Sequence, residues 1–223
     1  MSTSKLGYYL NRNKALDANP DRQLLGEREI ATLELILEAD QANQWTGKLV
    51  ADLGCGDQYI RYALEKRGAT YYGLDIDQCN LESDRFPLED NSCDLVICLA
   101  LIEHILDPGH FLSEVQRILK PAGKLWMSTP DIEACGAKFW NDPTHVHPYT
   151  RTSLRTLLMM NGFAHVLVTP NYRCKPRKFY RDTKFNFFRA RHLMPFLGTC
   201  PLPVPDCLKG HCTGLFALAQ NPL

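Results

Sequence analysis

Val50-Ala-Asp-Leu-Gly-Cys-Gly-Asp57 is the stretch that decides the fold. Its first half is a short apolar run of the kind that forms a buried strand. The run breaks at Gly54, and Gly54 and Gly56 let the backbone turn tightly and approach a ligand with no Cβ in the way. Residues 59–66 then read as a helix, stopped near Gly68. A helix leaving such a turn points free N–H groups at its N-terminus, suited to a carboxylate or a phosphate. Alone, a glycine-rich strand-to-helix turn is a weak signal.

Outward from it, short apolar runs keep alternating with amphipathic ones. Thr70-Tyr-Tyr-Gly-Leu-Asp75, Asp94-Leu-Val-Ile-Cys-Leu99 and Gly123-Lys-Leu-Trp-Met-Ser128 read as strands, as do residues 163–168 and 214–219. Residues 109–119, ending before Pro121, and 152–160, closed by Gly162, read as helices. Ile30, Leu33, Leu35, Ile36 and Leu37 recur at near-helical spacing, which predicts a packed entry helix over 27–39. Strands alternating with helices imply an α/β fold, a mostly parallel sheet doubly wound with helices on both faces. The organisation expected is a lead-in and helix over 1–45, then one domain over 46–223 with an insertion at 171–213 before the last strand.

Composition sets the outer bounds. The 223 residues suit one domain, and 45% hydrophobic with 22% charged residues is ordinary for a globular chain. Lys plus Arg equals Asp plus Glu at 25 each, so overall charge gives no reason to expect a nucleic-acid partner. The start has no long apolar segment of a secretory signal, and no run of about eighteen apolar residues could span a bilayer. A cytoplasmic protein with reduced thiols is the expectation for the nine cysteines. Cys200, Cys207, His211 and Cys212 lack the paired C-x-x-C spacing that marks structural zinc, and are read as plain thiols.

Two features sharpen the glycine turn. Asp75 closes the second strand about twenty residues later, where an acid can accept both hydroxyls of a ribose. The turn itself is G-x-G followed by Asp57 and Gln58, with Tyr59 where a dinucleotide-binding G-x-G-x-x-G would carry its third glycine. A ligand with a ribose and no pyrophosphate fits better. Either acid by itself has a plainer reading, Asp52 as a cap and Asp75 as a strand-ending turn residue.

The ordered blocks Asp52-Leu-Gly-Cys-Gly-Asp57, Gly73-Leu-Asp75, Phe86-Pro-Leu-Glu-Asp-Asn-Ser-Cys-Asp-Leu-Val96, Ile102-Glu-His104 and Ile118-Leu-Lys-Pro-Ala-Gly-Lys124 resemble the class I S-adenosylmethionine-dependent methyltransferases. The similarity covers roughly residues 48–170 and is closest to enzymes that methylate small molecules or cell-surface sugars. It implies a Rossmann-like, seven-stranded sheet, S-adenosylmethionine as cofactor and S-adenosylhomocysteine as product. The resemblance places Gly54, Cys55 and Gly56 beneath the methionine part, with Asp52 organising the turn. It places Asp75 on the ribose hydroxyls and Ile76 on the adenine. Glu82 or Asp84, with the Ser83 backbone, falls at the adenine amino group, and Leu99 and Ala100 line the cofactor. Gln58 stands where such sequences often carry glycine, and the stretch from Asp75 to Glu82 is too short for the usual helix, so a loop is expected there.

Methyl transfer needs an aligned acceptor and, for a neutral hydroxyl, a group that takes up its proton. Asn141-Asp-Pro-Thr-His-Val-His-Pro-Tyr149 supplies the candidates His145, His147 and Tyr149, the two histidines alternating as they would on one side of an extended segment. Glu103-His104 resembles part of the E-x-x-E-H metal cluster of some related methyltransferases, which a later histidine completes. Ala100 replaces its first glutamate, so no metal is expected, with Glu103 and His104 as the residues to watch. In the insertion, Tyr172-Arg-Cys-Lys-Pro-Arg-Lys-Phe-Tyr-Arg181 and Lys184-Phe-Asn-Phe-Phe-Arg-Ala-Arg191 interleave cations with aromatics. They suit a cap over an anionic acceptor, a lipid or RNA surface, or equally a solvated basic face. The reading is an O-methylating enzyme for a small-molecule or sugar-like acceptor, with a non-catalytic binding module or an RNA or protein methyltransferase as alternatives. Leu99-Ala-Leu-Ile102 stands where nucleic-acid amine methyltransferases often carry Asn/Asp-Pro-Pro-aromatic, which argues against the last.

Overall fold

The computed structural model describes residues 22–37, 44–171 and 213–222. Its elements are α1 (Arg22–Ile36), β1 (Leu49–Leu53), α2 (Arg61–Glu65), β2 (Thr70–Leu74), β3 (Cys93–Leu99), α3 (Pro108–Ile118), β4 (Leu119–Pro130), α4 (Ile132–Cys135), α5 (Arg151–Met160), β5 (Ala164–Pro170) and β6 (Gly214–Gln220). Two 3-10 turns, Ile102–His104 and Gly136–Asn141, lie in the loops after β3 and α4. The strands form one sheet in the order β2-β1-β3-β4-β6-β5. Its first four strands are parallel, and β6 runs antiparallel to both β4 and β5.

Alternation along the strands sorts the core into two layers. Ala51, Leu53, Val96, Cys98, Leu125 and Met127 face one side, where Phe111, Leu112, Val115 and Ile118 of α3 and Leu154 and Leu158 of α5 cover them. Val50, Leu95, Ile97, Trp126 and Phe216 face the other, under Ile30 and Leu33 of α1 and Ile60, Ala63 and Leu64 beside and within α2. The doubly wound architecture is therefore present, with six strands among the described residues where seven were expected. Between β2 and β3 the chain makes turns only. Phe86 anchors it in the core, Glu114 accepts from the Phe86 N–H, and Arg117 donates to the carbonyls of Phe86 and Leu88. That route uses up the residues from which an outer strand beyond β2 would be made.

Local chemistry explains the helix starts. Asp107 caps α3, its Oδ1 accepting from the N–H groups of Gly109 and His110, with Pro108 in the first turn. Thr150 and Ser153 cap α5 reciprocally. Strand β4 begins four residues earlier than Gly123, running through Pro121 with Ala122 at φ +62° and a shift of register against β3. α1 starts earlier than expected and ends at Ile36. The basic and aromatic insertion over 172–212, with Cys174, Cys200, Cys207, His211 and Cys212, lies outside the described residues, as does the lead-in over 1–21.

Candidate active site

Strand order reverses direction between β1 and β3, so the loops leaving their carboxyl ends part and open a crevice. The glycine turn fills one side of it. Gly54 and Gly56 adopt φ +71° and +53°, and the N–H of Gly54 donates to the carbonyl of Leu74 at the end of β2. Gln58 also lies at positive φ, +55°, which accounts for the glycine common at this position: an L-residue pays roughly 1–2 kcal/mol there. A Cβ on Gly54 would sit 3.1 Å from the Leu101 side chain, so the loop after β3 lies directly over the turn.

Asp75 faces the same turn. Its Oδ2 accepts from the Gly56 N–H and its Oδ1 from the Ile76 N–H, each at 2.7 Å. A carboxylate has about four acceptor sites, so these two bonds fix its orientation and leave capacity for the two hydroxyls of a ribose. The residues present therefore fit an adenosyl group. Asp52, one strand inward, is buried and accepts from the Tyr71 hydroxyl at 2.7 Å. Burial pushes its carboxyl up to about 7, against the Tyr71 hydrogen bond and with help from the charges of Asp75 and Asp57. Cys55 is buried, and its thiol is pushed up to about 12 by that burial and by Asp52, so it stays a neutral packing group. Ile76 and Glu82 are half-buried and Ser83 exposed, on a turn organised by Asn80, whose side chain accepts from the Glu82 N–H. Leu99 ends β3 opposite Ser128 of β4.

One residue that sequence reasoning passed over ties α1 to the turn. Arg22 holds the Asp57 carboxylate through Nε and Nη2 and lies over the Tyr59 ring, 4.3 Å from its centroid. A hollow of about 500 Å³ bordered by Arg22, Gly56, Asp57 and Arg61 opens there, on the α1 side of the turn and apart from Asp75 and Leu99.

The other wall of the crevice is polar. Residues 141–149 are pinned to the 3-10 turn after β3, the N–H groups of Val146 and His147 both donating to the Glu103 carbonyl, at 2.8 and 3.2 Å. This brings His145 against His104, their ring centroids 4.7 Å apart, although the two are far apart in sequence. Glu103 and His104 are buried, and Glu103 accepts from the Thr129 hydroxyl at 3.0 Å. The two loop histidines do not share a partner. His145 donates from Nδ1 to the Phe139 carbonyl at 2.7 Å, and His147 from Nε2 to the Leu106 carbonyl at 3.2 Å. Tyr149 is buried, and burial together with the Glu103 charge raises its phenol, so it remains protonated. Thr129, Asp142 and Thr144 complete this wall. Thr129 lies at the end of β4, and Asp142 and Thr144 stand in the same run as His145.

Residues 26–168 match a family model described as a methyltransferase domain. A ubiquinone biosynthesis O-methyltransferase of Pasteurella multocida is 27% identical over 130 residues, which cover 45% of this chain and 54% of that protein. A probable S-adenosylmethionine-dependent methyltransferase of Mycolicibacterium smegmatis is 29% identical over 139 residues, covering 55% and 54%. The chain thus spans about half the length of the curated relatives it matches. Among solved structures, a SAM-dependent methyltransferase from Archaeoglobus fulgidus superposes with a TM-score of 0.59 at 19% identity, over 86% of this chain and 94% of that one, a likeness of fold. With that family model spanning most of the sheet, and the glycine turn and Asp75 inside it, the chain belongs to the class I S-adenosylmethionine-dependent methyltransferase family.

Proposed function

We propose that this domain transfers the methyl group of S-adenosylmethionine to a hydroxyl oxygen of a small-molecule or sugar-like acceptor. The observation that carries it is the polar wall at the carboxyl edge of β3 and β4, where the loop of His145 and His147 is pinned to the loop whose Leu101 lies over the glycine turn. The name of the Pasteurella relative, an O-methyltransferase, supports the same chemistry. The cofactor supplies a methyl on a cationic sulfur; as the new O–C bond forms, the C–S bond breaks with its electron pair passing to sulfur.

The chain's own work is positioning and proton uptake. Asp75, fixed by the Gly56 and Ile76 amides, orients the adenosyl end. His147 is the residue proposed to take the acceptor's proton. Its Nε2 is committed as a donor to Leu106, which leaves Nδ1 with a lone pair, and its ring is half-buried. Tyr149, held protonated, is unsuited to that role. Trp140, 56% exposed beside Phe139, offers an apolar face for a ring-bearing acceptor. No helix among the described residues is long and apolar enough to cross a membrane, so no membrane span enters this reading.

Incubation with methyl-labelled cofactor and a panel of phenols, catechols and sugars tests the proposal. The label is expected on oxygen in the product, by NMR. Transfer to nitrogen or carbon alone, or to none of the panel, would overturn it.

A further inference from the structure

We infer that Tyr71 is a positioning residue for S-adenosylmethionine, acting through Asp52, whose carboxyl passes a proton to solvent as the cationic cofactor arrives. The tyrosine reaches the cofactor only through that acid. Its role rests on the cofactor seat at the glycine turn and stands apart from the O-methyl reading.

Strand register builds the contact. Val50 pairs with Tyr71 and Asp52 with Gly73, so tyrosine and acid lie on one side of the sheet, one step apart. The phenol can cross that step because position 73 has no side chain. A Cβ on Gly73 would stand 3.0 Å from the Tyr71 hydroxyl oxygen and 3.0 Å from Cys55 Sγ. The hydroxyl donates to Asp52 Oδ2 at 2.7 Å, and Asp52 is 4% exposed. No other hydrogen bond to this carboxyl is made among the described residues.

The charge around Asp52 is one-sided. Asp57 and Asp75 of the turn act on it as like charges, Asp57 held by Arg22 of α1 and Asp75 by the Gly56 and Ile76 amides. Cys55 of the turn and Cys98 of β3 are thiols that burial keeps neutral. Arg61 of α2 lies over the Tyr71 ring, 5.9 Å from its centroid, and pairs with Glu65. Among the described residues no cation pairs with Asp52.

Before the cofactor binds, burial and the two neighbouring carboxylates favour the protonated acid, and the Tyr71 bond favours the carboxylate. The balance falls at about 7. S-adenosylmethionine carries a net positive charge, the counter-charge this cluster lacks, so its binding drives Asp52 to the carboxylate. Affinity is therefore full above about pH 7 and falls as the pH drops below it. Tyr71 keeps its own proton throughout, its phenol raised far above the usual range by burial and the Asp52 charge.

Calorimetric titration of the full chain with S-adenosylmethionine, at about pH 7 in buffers of different ionisation heat, counts the protons released. About half a proton per cofactor is expected from the wild type and none from Asp52→Asn. Tyr71→Phe should release nearly one, because losing a hydrogen bond to a charged group raises the midpoint by roughly one to two pH units. Between about pH 7.5 and 5.5 the wild-type affinity should fall about 20-fold, against less than about threefold in Asp52→Asn, which keeps every histidine. Weaker binding by Tyr71→Phe with unchanged proton release would make the hydroxyl structural only and overturn the inference. Release that persists in Asp52→Asn would do so too. A wild type that binds without releasing a proton would sink it whether or not the variants fold, and would leave the cofactor seat standing. No binding at all would remove both.

Discussion

Replacing His147 by alanine is expected to lower kcat by about two to four orders of magnitude, the usual share of a general base. That corresponds to roughly 3–5.5 kcal/mol of barrier. The argument is one of elimination among three side chains on the same loop. Tyr149 stays protonated through burial and the Glu103 charge, and His145 is packed between the rings of Phe139 and His104. His147 alone of the three pairs an accessible ring with a ring nitrogen left as acceptor, because Nε2 already donates to Leu106. Its backbone bond to Glu103 survives truncation, so the loop should hold its place. Single-turnover kinetics with His147→Ala check this, with two further readouts. The affinity for S-adenosylhomocysteine should stay within about twofold, and free imidazole should restore part of the rate, as lost transition-state chemistry requires. A rate equal to wild type, or a loss that imidazole leaves untouched, would assign His147 a structural part instead.

Gly26→Ala should destabilise the domain by about 1–3 kcal/mol, the range for overpacking a filled site. Helix propensity alone points the other way, since alanine in place of glycine inside a helix gains about 1 kcal/mol. Contact decides. A Cβ on Gly26 would stand 2.1 Å from the Tyr59 carbonyl oxygen and 3.2 Å from the Ile60 Cα, all of it backbone that no rotamer change can move. The helix must therefore lift, and it carries Ile30 and Leu33 out of the layer they share with Trp126. It also carries the Arg22 bond to Asp57 and the Glu27 and Glu34 pairs with Arg67. For a domain of this size the loss reads as a fall in Tm of about 2–12 °C. Arg28→Ala, on the exposed side of the same helix, should change stability by less than about 0.5 kcal/mol. A higher Tm for Gly26→Ala would show that α1 does not pack as described.

Much of this fold was legible because buried parallel strands announce themselves. Leu49–Leu53 and Cys93–Leu99 are unbroken apolar runs but for one acid each, and both appear within a residue of where they were read. Boundaries set by pairing were harder. β4 reaches back through Pro121 because it lies beside β3 there, and nothing local in Lys120-Pro-Ala-Gly123 signals a strand. Among the described residues the sheet ends at β2 for a similar reason: the residues over 75–92 are spent on turns that Phe86 and Arg117 fasten down. Asp75 and the two glycines could be placed from sequence because their spacing follows one strand-turn-helix-strand unit. The pairing of His104 with His145 could not, since it depends on two loops meeting at the sheet edge some forty residues apart. The alternation of His145 and His147 pointed to a common side, yet backbone carbonyls of Phe139 and Leu106 draw them to different partners. Arg22 was missed because it acts across the sheet's flank on Asp57, with no periodic signal to mark it.

Calorimetric titration of S-adenosylhomocysteine into the wild-type chain and Asp75→Ala bears most directly on the seat formed by the glycine turn and this acid. One equivalent should bind the wild type, and the variant should bind about 1–3 kcal/mol more weakly, the loss of a charged hydrogen-bond acceptor. No heat of binding at millimolar ligand, or equal affinity in the two proteins, would contradict the account.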